Sequence, residues 1–556
     1  MEHLNLEEAV AAHVRPGDAL NILYGHTRWT ATAREVCRQF WGTDPGFELQ
    51  LVSLGNFATA LVHGGLVRRV VTAYAGEGFP TGGPNPVYTR ALRERAVEFE
   101  HWSILTFEQR LEAAARGLPA AVTGSLTGTA MEANAHFARV DTPFGEVGVV
   151  APLVPDVALL HAPVADVAGN VALPGPNMEG PWAAWAARRG AVVTVDRVVD
   201  DLREHAPTVR IPAHRVLAIV EAPFGAHPGG SFARGLPVDG YGEDIPFWND
   251  LHRATRGDFD DWIRRWVLDV STHDDYLARL GAERLERLRR RADPMSWQDD
   301  DRAHPVDESI PVTPQEVCAV VTAHEVADRV VARRADAILA GAGVSNLAAW
   351  AAHELARARG SAARLAAEMG MWGYTPTPAD PYIFNHRVFP GAEMLTDCSW
   401  ILGTVVGGPG TTTIGCMSGA EIDRFGNVNS TDIPGTSFVA GSGGGADVAG
   451  RCDETVLAVV ASPRRLVHDC AYITSPGHRV RSVCTDLGVL RKRGDGELHL
   501  AAVVAGPEPL AGRVRTMVDA TGWDLVVDRD VGEVPAPSER EILALRNWDR
   551  ERILLG

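Results

Sequence analysis

The sequence predicts an α/β protein whose sheets are mainly parallel and which consists of two related domains in tandem. Short apolar runs, among them residues 191–195 and 456–460, alternate with amphipathic helical patterns along the chain. Buried parallel strands covered by helices give this alternation. The chain also repeats itself, because Asp-x-x-Gly-Asn-Val occurs at residues 166–171 and again at 423–428. Both copies predict a strand, a turn with positive φ angles at Gly and Asn, and a second strand.

A polar stretch near the middle of the chain is the predicted domain boundary. At 556 residues the chain is several times longer than a typical domain. Residues 291–313 contain three prolines and an acidic run, and Thr313 followed by Glu316 predicts the capped start of a helix. We therefore predict a first domain over residues 1–290, a linker over 291–313 and a second domain over 314–556.

Composition excludes several classes of protein. The net charge of −18 argues against a nucleic-acid surface, which needs clustered Lys and Arg. Seven cysteines without a C-x-x-C pair predict reduced thiols rather than a disulfide framework or a zinc site. No apolar run approaches the ~18 residues of a membrane span, and the N-terminus lacks a signal-peptide pattern. We therefore predict a soluble cytoplasmic protein without a nucleic-acid or membrane partner.

Two glycine-rich segments are candidates for binding anions. Residues 341–343 read Gly-Ala-Gly between a predicted strand and a predicted helix, and such turns direct N–H groups toward the edge of a sheet where ligands bind. Residues 441–446 formally match G-x-G-x-x-A, but no acidic ribose partner follows, which argues against a dinucleotide site. Their N–H groups suit an anion or an oxyanion. Close packing at the first segment and a flexible surface loop at the second are the alternatives.

Glu368 is the candidate reactive carboxylate. It follows a predicted strand and is flanked by apolar residues, and burying a carboxylate there is costly unless it has a partner or a chemical role. From these residues alone, a salt-bridged or solvated glutamate remains the alternative to a nucleophile. His324-Glu325 and His353-Glu354 begin like zinc-protease motifs but lack the second His, so no metal site is predicted.

The second half resembles the β subunit of the family I coenzyme A (CoA) transferases, the glutaconate and 3-oxoacid group. Five blocks carry the resemblance in order: 341–343, 367–370, 418–431, 441–447, and 473–478 with 485–489. The first half is similar to the α subunit through residues 51–55, 155–162 and 221–228. Two departures concern the substrate rather than the fold. Met369 replaces the usual Ser or Asn beside the nucleophile, and Trp372 is bulkier than expected there.

The resemblance implies a transferase that moves CoA from an acyl-CoA donor to a carboxylic acid acceptor by a ping-pong mechanism. Glu368 would attack the thioester, pass through a mixed anhydride and carry CoA as a glutamyl-CoA thioester. It further implies Gly443 and Gly444 as oxyanion donors. The implied CoA contacts are Gly341, Gly343, Gly441 and Ser442, and the implied substrate contacts are His26, Arg28, Ser53, Glu77, Met369, Trp372 and Tyr374. For the aromatic residues, an ordinary core position is the alternative.

The expected co-substrate is CoA as its acyl ester, with no metal, nicotinamide or flavin. The expected partners are an acyl-CoA and a small carboxylic acid, and the expected assembly is a homodimer or a higher homo-oligomer of the fused chain. One alternative is an acyl-CoA hydrolase, or a C–C bond-cleaving or cyclising enzyme, with Glu368 as general base. A non-catalytic binding protein would lack the nucleophile, so Glu368 argues against it. The sequence does not identify the acids or the direction of transfer.

Overall fold

The computed structural model describes residues 1–23, 30–54, 58–78, 82–494 and 496–556. The strands of the first half are β1 (Glu2–His3), β2 (Ala19–Ile22), β3 (Phe47–Leu54), β4 (Val67–Ala75), β5 (Glu98–His101), β6 (Ala121–Thr123), β7 (Phe137–Thr142), β8 (Gly145–Val150), β9 (Val157–Asp166), β10 (Val171–Ala172), β11 (Gly190–Val199), β12 (Val209–Ile211) and β13 (Val216–Glu221).

The strands of the second half are β14 (Ala337–Ala340), β15 (Arg364–Ala367), β16 (Met371–Trp372), β17 (Met394–Leu395), β18 (Thr413–Met417), β19 (Glu421–Asp423), β20 (Val428–Asn429), β21 (Asp432–Ile433), β22 (Ser437–Phe438), β23 (Glu454–Ala458), β24 (Leu466–Val467), β25 (Val480–Cys484), β26 (Gly488–Lys492), β27 (Leu498–Val504) and β28 (Val527–Val534).

Helices cover both halves. They are α1 (Leu6–His13), α2 (Ala31–Phe40), α3 (Ala58–His63), α4 (Pro86–Arg93), α5 (Ile104–Ala115), α6 (Trp182–Ala186), α7 (Ile245–Arg256), α8 (Phe259–Ile263), α9 (His273–Leu280), α10 (Ala282–Arg291), α11 (Trp297–Ala303), α12 (Pro314–Arg333), α13 (Val344–Ala358), α14 (Gly445–Arg451), α15 (Leu510–Asp519) and α16 (Glu539–Trp548). In the described part of the chain, none of these helices combines the length and apolar character needed to cross a lipid bilayer.

Each half contains one large sheet, and the predicted α/β class with mainly parallel strands is confirmed. The main path of the first sheet is β1-β13-β11-β9-β2-β3-β4-β5, and every pair along it is parallel. The second sheet runs β17-β16-β15-β14-β18-β23-β25-β26-β27-β28. Its centre is parallel, while β16, β17 and β26 pair antiparallel with their neighbours. Side chains that follow β14 and β15 therefore lie at the same edge.

The repeated hexapeptide folds alike in both halves. Asp166 accepts hydrogen bonds from the backbone N–H (2.8 Å) and the side-chain amide (2.9 Å) of Asn170. Asp423 accepts the same two bonds from Asn427, at 2.9 and 3.0 Å. The glycine of each copy has a positive φ, as predicted, but the two asparagines do not. Each Asn is instead held by its Asp, so the prediction of a positive φ at Asn is wrong.

The middle of the chain is structured rather than extended. Thr313 caps α12 and Glu316 completes the predicted capping box. Helix α11 lies within residues 291–313, and its Asp300 pairs with Arg291 at 3.1 Å and with Arg387 of the second half at 2.6 Å. The domain limits themselves remain a prediction.

Candidate active site

Glu368 is the residue directly after β15, at the edge of the second sheet where parallel strands end. The Gly-Ala-Gly turn of residues 341–343 follows the neighbouring strand β14 at the same edge. The Gly341 N–H donates to the carbonyl of Cys416 at 2.8 Å. Gly343 is the N-cap of α13 with φ of 86°, and the space beside its Cα is open. The structure thus brings the predicted nucleophile and the first glycine turn to one edge.

The Glu368 carboxylate lies against Gly444, the N-cap of α14. The Gly444 N–H donates a hydrogen bond to it. A Cβ atom at position 444 would overlap Glu368 Oε2. Only glycine therefore lets the backbone approach the carboxylate this closely, and the role of Gly444 as an oxyanion donor stays a prediction.

Gly441 and Gly443 pack against the first half of the chain, whereas Gly444 lies against Glu368. The Gly443 N–H donates to the Ala73 carbonyl on β4 at 2.9 Å, and the Gly443 carbonyl accepts from Ile104 N–H at 3.0 Å. A Cβ at Gly441 would lie 2.7 Å from the Ala73 oxygen. In this arrangement Gly444 is the donor to Glu368, while the Gly443 N–H is engaged elsewhere. Ser442 accepts from Ala446 N–H through Oγ at 3.2 Å, at the start of α14.

The electrostatics of the site favour a proton on Glu368. Burial and, to a smaller extent, the nearby Asp447 charge raise the pKa of Glu368 to about 7, against the opposing effect of the hydrogen bond from the Gly444 N–H. Burial likewise raises the pKa of Asp447 to about 6, partly offset by hydrogen bonds from Ser103 and the Leu105 N–H. Asp447 is fully buried. Asp447 was not among the residues predicted for the site, although it lies within block 441–447. Its acidic side chain, close behind the glycine run, was the sequence feature that could have indicated it.

Replacing Glu368 by Gln is expected to stabilise the fold at pH 8 by about 1–3 kcal/mol, a range that allows for solvent screening of a partly buried group. The native carboxyl keeps its proton up to about pH 7, whereas the unfolded chain loses it near 4.5. The gain should therefore be absent below pH 4.5, grow as the pH rises, and be complete above 7. Urea unfolding at pH 5 and pH 8 measures it, with the exposed Glu354→Gln as control. Equal stabilities of wild type and Glu368→Gln at pH 8 would contradict the burial of this charge.

Met369 joins the two halves through its backbone. It is buried, and its carbonyl accepts the N–H of Met178 from the first half at 3.0 Å. Met178 has a positive φ of 49°, and its own carbonyl accepts the Cys398 N–H at 2.7 Å. No local sequence pattern marks Met178, because its contact partner Met369 lies far away in the chain.

Two first-half candidates lie near the carboxyl ends of strands. Ser53 is the penultimate residue of β3 and pairs with Tyr74 of β4. Glu77 follows β4 and forms ion pairs with Arg256 at 2.9 Å and His252 at 3.5 Å. The predicted substrate contacts His26 and Arg28 lie outside the described residues.

The structure does not bring the aromatic candidates to Glu368. Trp372 lies on β16 and lines a surface cavity of about 600 Å³ together with Asp336 and Arg364, at the opposite edge of the sheet. Tyr374 is buried, and its hydroxyl accepts the Trp350 indole N–H at 3.0 Å. Tyr374 is thus a buried core residue, and Trp372 lines a cavity at the edge of the sheet opposite Glu368; the role of the two rings as substrate contacts remains a prediction. Within the described ranges, no cluster of His, Cys, Asp and Glu could hold a metal ion.

Comparison with known proteins finds similarity to one family. The coenzyme A transferase family model matches residues 3–222. The chain is 29% identical over 293 residues to one of the two matching subunits of the 3-oxoadipate CoA-transferase of Pseudomonas knackmussii, covering 50% of this chain and 98% of the relative. The second of these subunits matches at 29% identity over 157 residues, covering 25% of this chain and 58% of the relative. The chain is therefore similar to the coenzyme A transferase family, through residues 3–222 and through both subunits of this relative.

Other CoA-transferases extend this result. The glutaconate CoA-transferase of Acidaminococcus fermentans has a subunit that is 37% identical over 160 residues, 28% of this chain, and the match spans about half (48%) of that relative. An acyl-CoA transferase from E. coli O157:H7, solved as a thioester complex with CoA, superposes with a TM-score of 0.65 at 16% identity. That superposition covers 97% of this chain and 96% of the other, so the CoA-transferase fold extends over both halves. The family and fold expected from the sequence are confirmed.

Proposed function

We propose that the protein is a CoA-transferase that carries CoA from an acyl-CoA to a carboxylic acid as a thioester on Glu368. The observation that carries the proposal is the partly buried carboxylate at a strand end, held against the Gly444 N–H. The matches to two different subunits of one CoA-transferase support the reaction type. The proposed partners are an acyl-CoA and a small carboxylic acid, and the proposed assembly is a homodimer or a higher homo-oligomer.

The proposed chemistry has two acyl transfers in each half-reaction. The ionised Glu368 attacks the thioester carbonyl, the CoA thiolate leaves, and a mixed anhydride forms. The thiolate then attacks the Glu368 carbonyl, and the first acid leaves as its carboxylate. During this second attack the negative charge develops on an oxygen of Glu368 itself, where the Gly444 N–H already donates. One such donor contributes about 10²–10³ in rate. An incoming acid reverses the steps, so the thioester energy is conserved.

Trapping the covalent adduct tests the proposal. The protein is incubated with acetyl-, propionyl-, glutaryl- and aryl-CoA esters, and its intact mass is followed for addition of CoA. Hydroxylamine cleavage and peptide mapping then locate the adduct, with Glu368→Gln as control. A CoA adduct on Glu368 that the variant lacks supports transfer.

A second candidate function is hydrolysis or C–C bond chemistry with Glu368 as general base, because a pKa of about 7 also suits a base at neutral pH. If free CoA accumulates while Glu368 stays unlabelled with every ester, this candidate replaces transfer. If neither an adduct nor free CoA appears with any ester, both candidates fail for these substrates.

The rate of adduct formation is expected to fall as the pH decreases below the Glu368 pKa of about 7. Only the ionised carboxylate attacks, so the rate should decrease about tenfold for each pH unit below that value and level off above it. Stopped reactions with the productive ester between pH 5.5 and 8.5, analysed by intact mass, measure the profile. A rate that is flat down to pH 5.5 would mean that the carboxyl is not held in its neutral form as the structure indicates.

A further inference from the structure

Asp447 is a second buried carboxyl group beside Glu368. It lies in the first turn of α14, whose N-cap Gly444 touches the Glu368 carboxylate. Its side chain is fully buried. Two carboxyl groups thus lie at the same helix start. Carboxylates placed this close repel each other, and burial strengthens the repulsion because little solvent screens it.

The first half holds Asp447 in place. Asp447 Oδ2 accepts the Leu105 N–H at 3.1 Å, at the start of α5. Ser103 caps that helix, with Thr106 N–H donating to its Oγ at 3.2 Å. The Ile104 N–H donates to the Gly443 carbonyl in the same region. The Ser103 and Ser125 side chains also donate to this carboxyl. An Asn at this position could still accept the Leu105 N–H while carrying no charge, so the substitution separates the charge from that hydrogen bond.

We propose that Asp447 is a positioning residue whose charge disfavours the free Glu368 carboxylate relative to its acylated forms, so that CoA remains on Glu368 between the two half-reactions. The inference rests on the proposed function. In the first half-reaction Glu368 loses its negative charge when the glutamyl-CoA thioester forms, and the released acid carries an equal charge into solvent. Atoms and charge therefore balance without a further reactant. The repulsion from Asp447 is relieved in the thioester and restored when CoA departs.

The segments that contact this pair carry further charged groups. Burial raises the pKa of Glu108 on α5, and the charge of Asp397 raises it further. Glu179 follows Met178, the residue that contacts Met369. Against the effect of burial, Arg451 at the end of α14 lowers the pKa of Asp447. Its guanidinium also donates to the Gly407 carbonyl at 3.1 Å. Arg451 thus favours the ionised form of Asp447, and its positive charge partly offsets the field of that carboxylate.

The test compares wild type with Asp447→Asn, which keeps the acceptor for Leu105 N–H and removes the charge. Each protein is equilibrated with the productive acyl-CoA and its free acid at a fixed ratio, and the fraction carrying CoA on Glu368 is measured by intact mass from pH 5.5 to 8.5. Asp447→Asn is expected to lower the ratio of adduct to free enzyme about tenfold at pH 8 and to move the midpoint of the adduct-formation rate about one pH unit lower. Asp166→Asn, at another buried Asp that accepts a backbone N–H (2.8 Å), is the matched control and should change neither quantity.

Arg451→Gln provides a change of opposite sign, which keeps the inference testable if Asp447→Asn does not fold. Removing the cation leaves the negative field of Asp447 less compensated, and Asp447 stays ionised at pH 8 because its pKa is about 6. The adduct ratio should therefore rise severalfold at pH 8. If Asp447→Asn keeps the wild-type ratio and midpoint, or if Arg451→Gln lowers the ratio or leaves it unchanged, the inference is wrong. If wild type forms no adduct on Glu368 at all, the proposed function fails instead.

Discussion

Glu368→Ala is expected to lower the rate of CoA transfer by at least about 10⁴-fold, because the variant cannot form either covalent intermediate. The substitution leaves the other proposed CoA contacts, such as the turn at residues 341–343, in place, so the affinity for the ester should change far less than the rate. Initial rates with the productive acyl-CoA and a second acid, together with equilibrium binding of the same ester, separate these two quantities.

Two further variants serve as controls for the Glu368→Ala measurement. Glu368→Asp keeps the charge but withdraws the carboxylate by one methylene from the Gly444 N–H, and it should lose about 10²–10³ in rate. Glu354→Ala removes an exposed glutamate of α13 in the same half and should be neutral. Retention of more than a tenth of wild-type transfer by Glu368→Ala would rule out a covalent role for this residue.

Gly444→Ala is expected to reduce transfer by about 10²–10³-fold while the protein remains folded. The added Cβ overlaps Glu368 Oε2, so the carboxylate must move away from the N–H that, in the proposed mechanism, stabilises the oxyanion. The backbone at Gly444 has φ of −83° and ψ of 2°, a conformation that alanine adopts without strain. The loss should therefore arise at the carboxylate and not from the turn. Transfer rates and thermal unfolding midpoints measured side by side test both parts.

Gly410→Ala is the matched control for that substitution. A Cβ at Gly410 meets no atom within 4 Å, so both activity and stability should stay near wild type. If Gly444→Ala transfers CoA as fast as Gly410→Ala, the close approach of Gly444 to Glu368 has no catalytic importance. If Gly444→Ala unfolds at room temperature, the glycine is required for packing, and the oxyanion role would have to be abandoned.

Local patterns in the sequence predicted much of the fold and part of the site. Apolar runs between helical patterns indicated parallel sheets, because strands buried on both faces need apolar residues throughout. The capping box at Thr313 and the repeated Asp-x-x-Gly-Asn-Val turn were readable because all their interacting groups lie within a few residues. Glu368 and the turn at residues 341–343 were both placed at strand ends, which is enough to expect them at one edge of a sheet.

Contacts between the two halves were decided by tertiary structure. Asp447 accepts from Leu105, 342 positions away in the chain, and Met369 accepts from Met178. No local signal records such pairs, since they depend on how two separately patterned sheets pack. The same limit explains Trp372, whose position beside Glu368 in sequence suggested a substrate contact. The antiparallel return of β16 carries it to the opposite edge, beside Asp336 and Arg364.

The sequence by itself therefore predicted the fold class, the resemblance to the family and Glu368 as the candidate carboxylate, because each rests on residues that are neighbours in the chain. Tertiary structure alone decided which N–H faces Glu368 and which charge acts on it. Both the N–H contact and the neighbouring charge depend on how residues 440–443 pack along β4. There the Gly443 N–H donates to the Ala73 carbonyl, and Gly444 lies against the Glu368 carboxylate. The electrostatics of a buried group follow from what surrounds it in space, and that environment here comes from both halves of the chain.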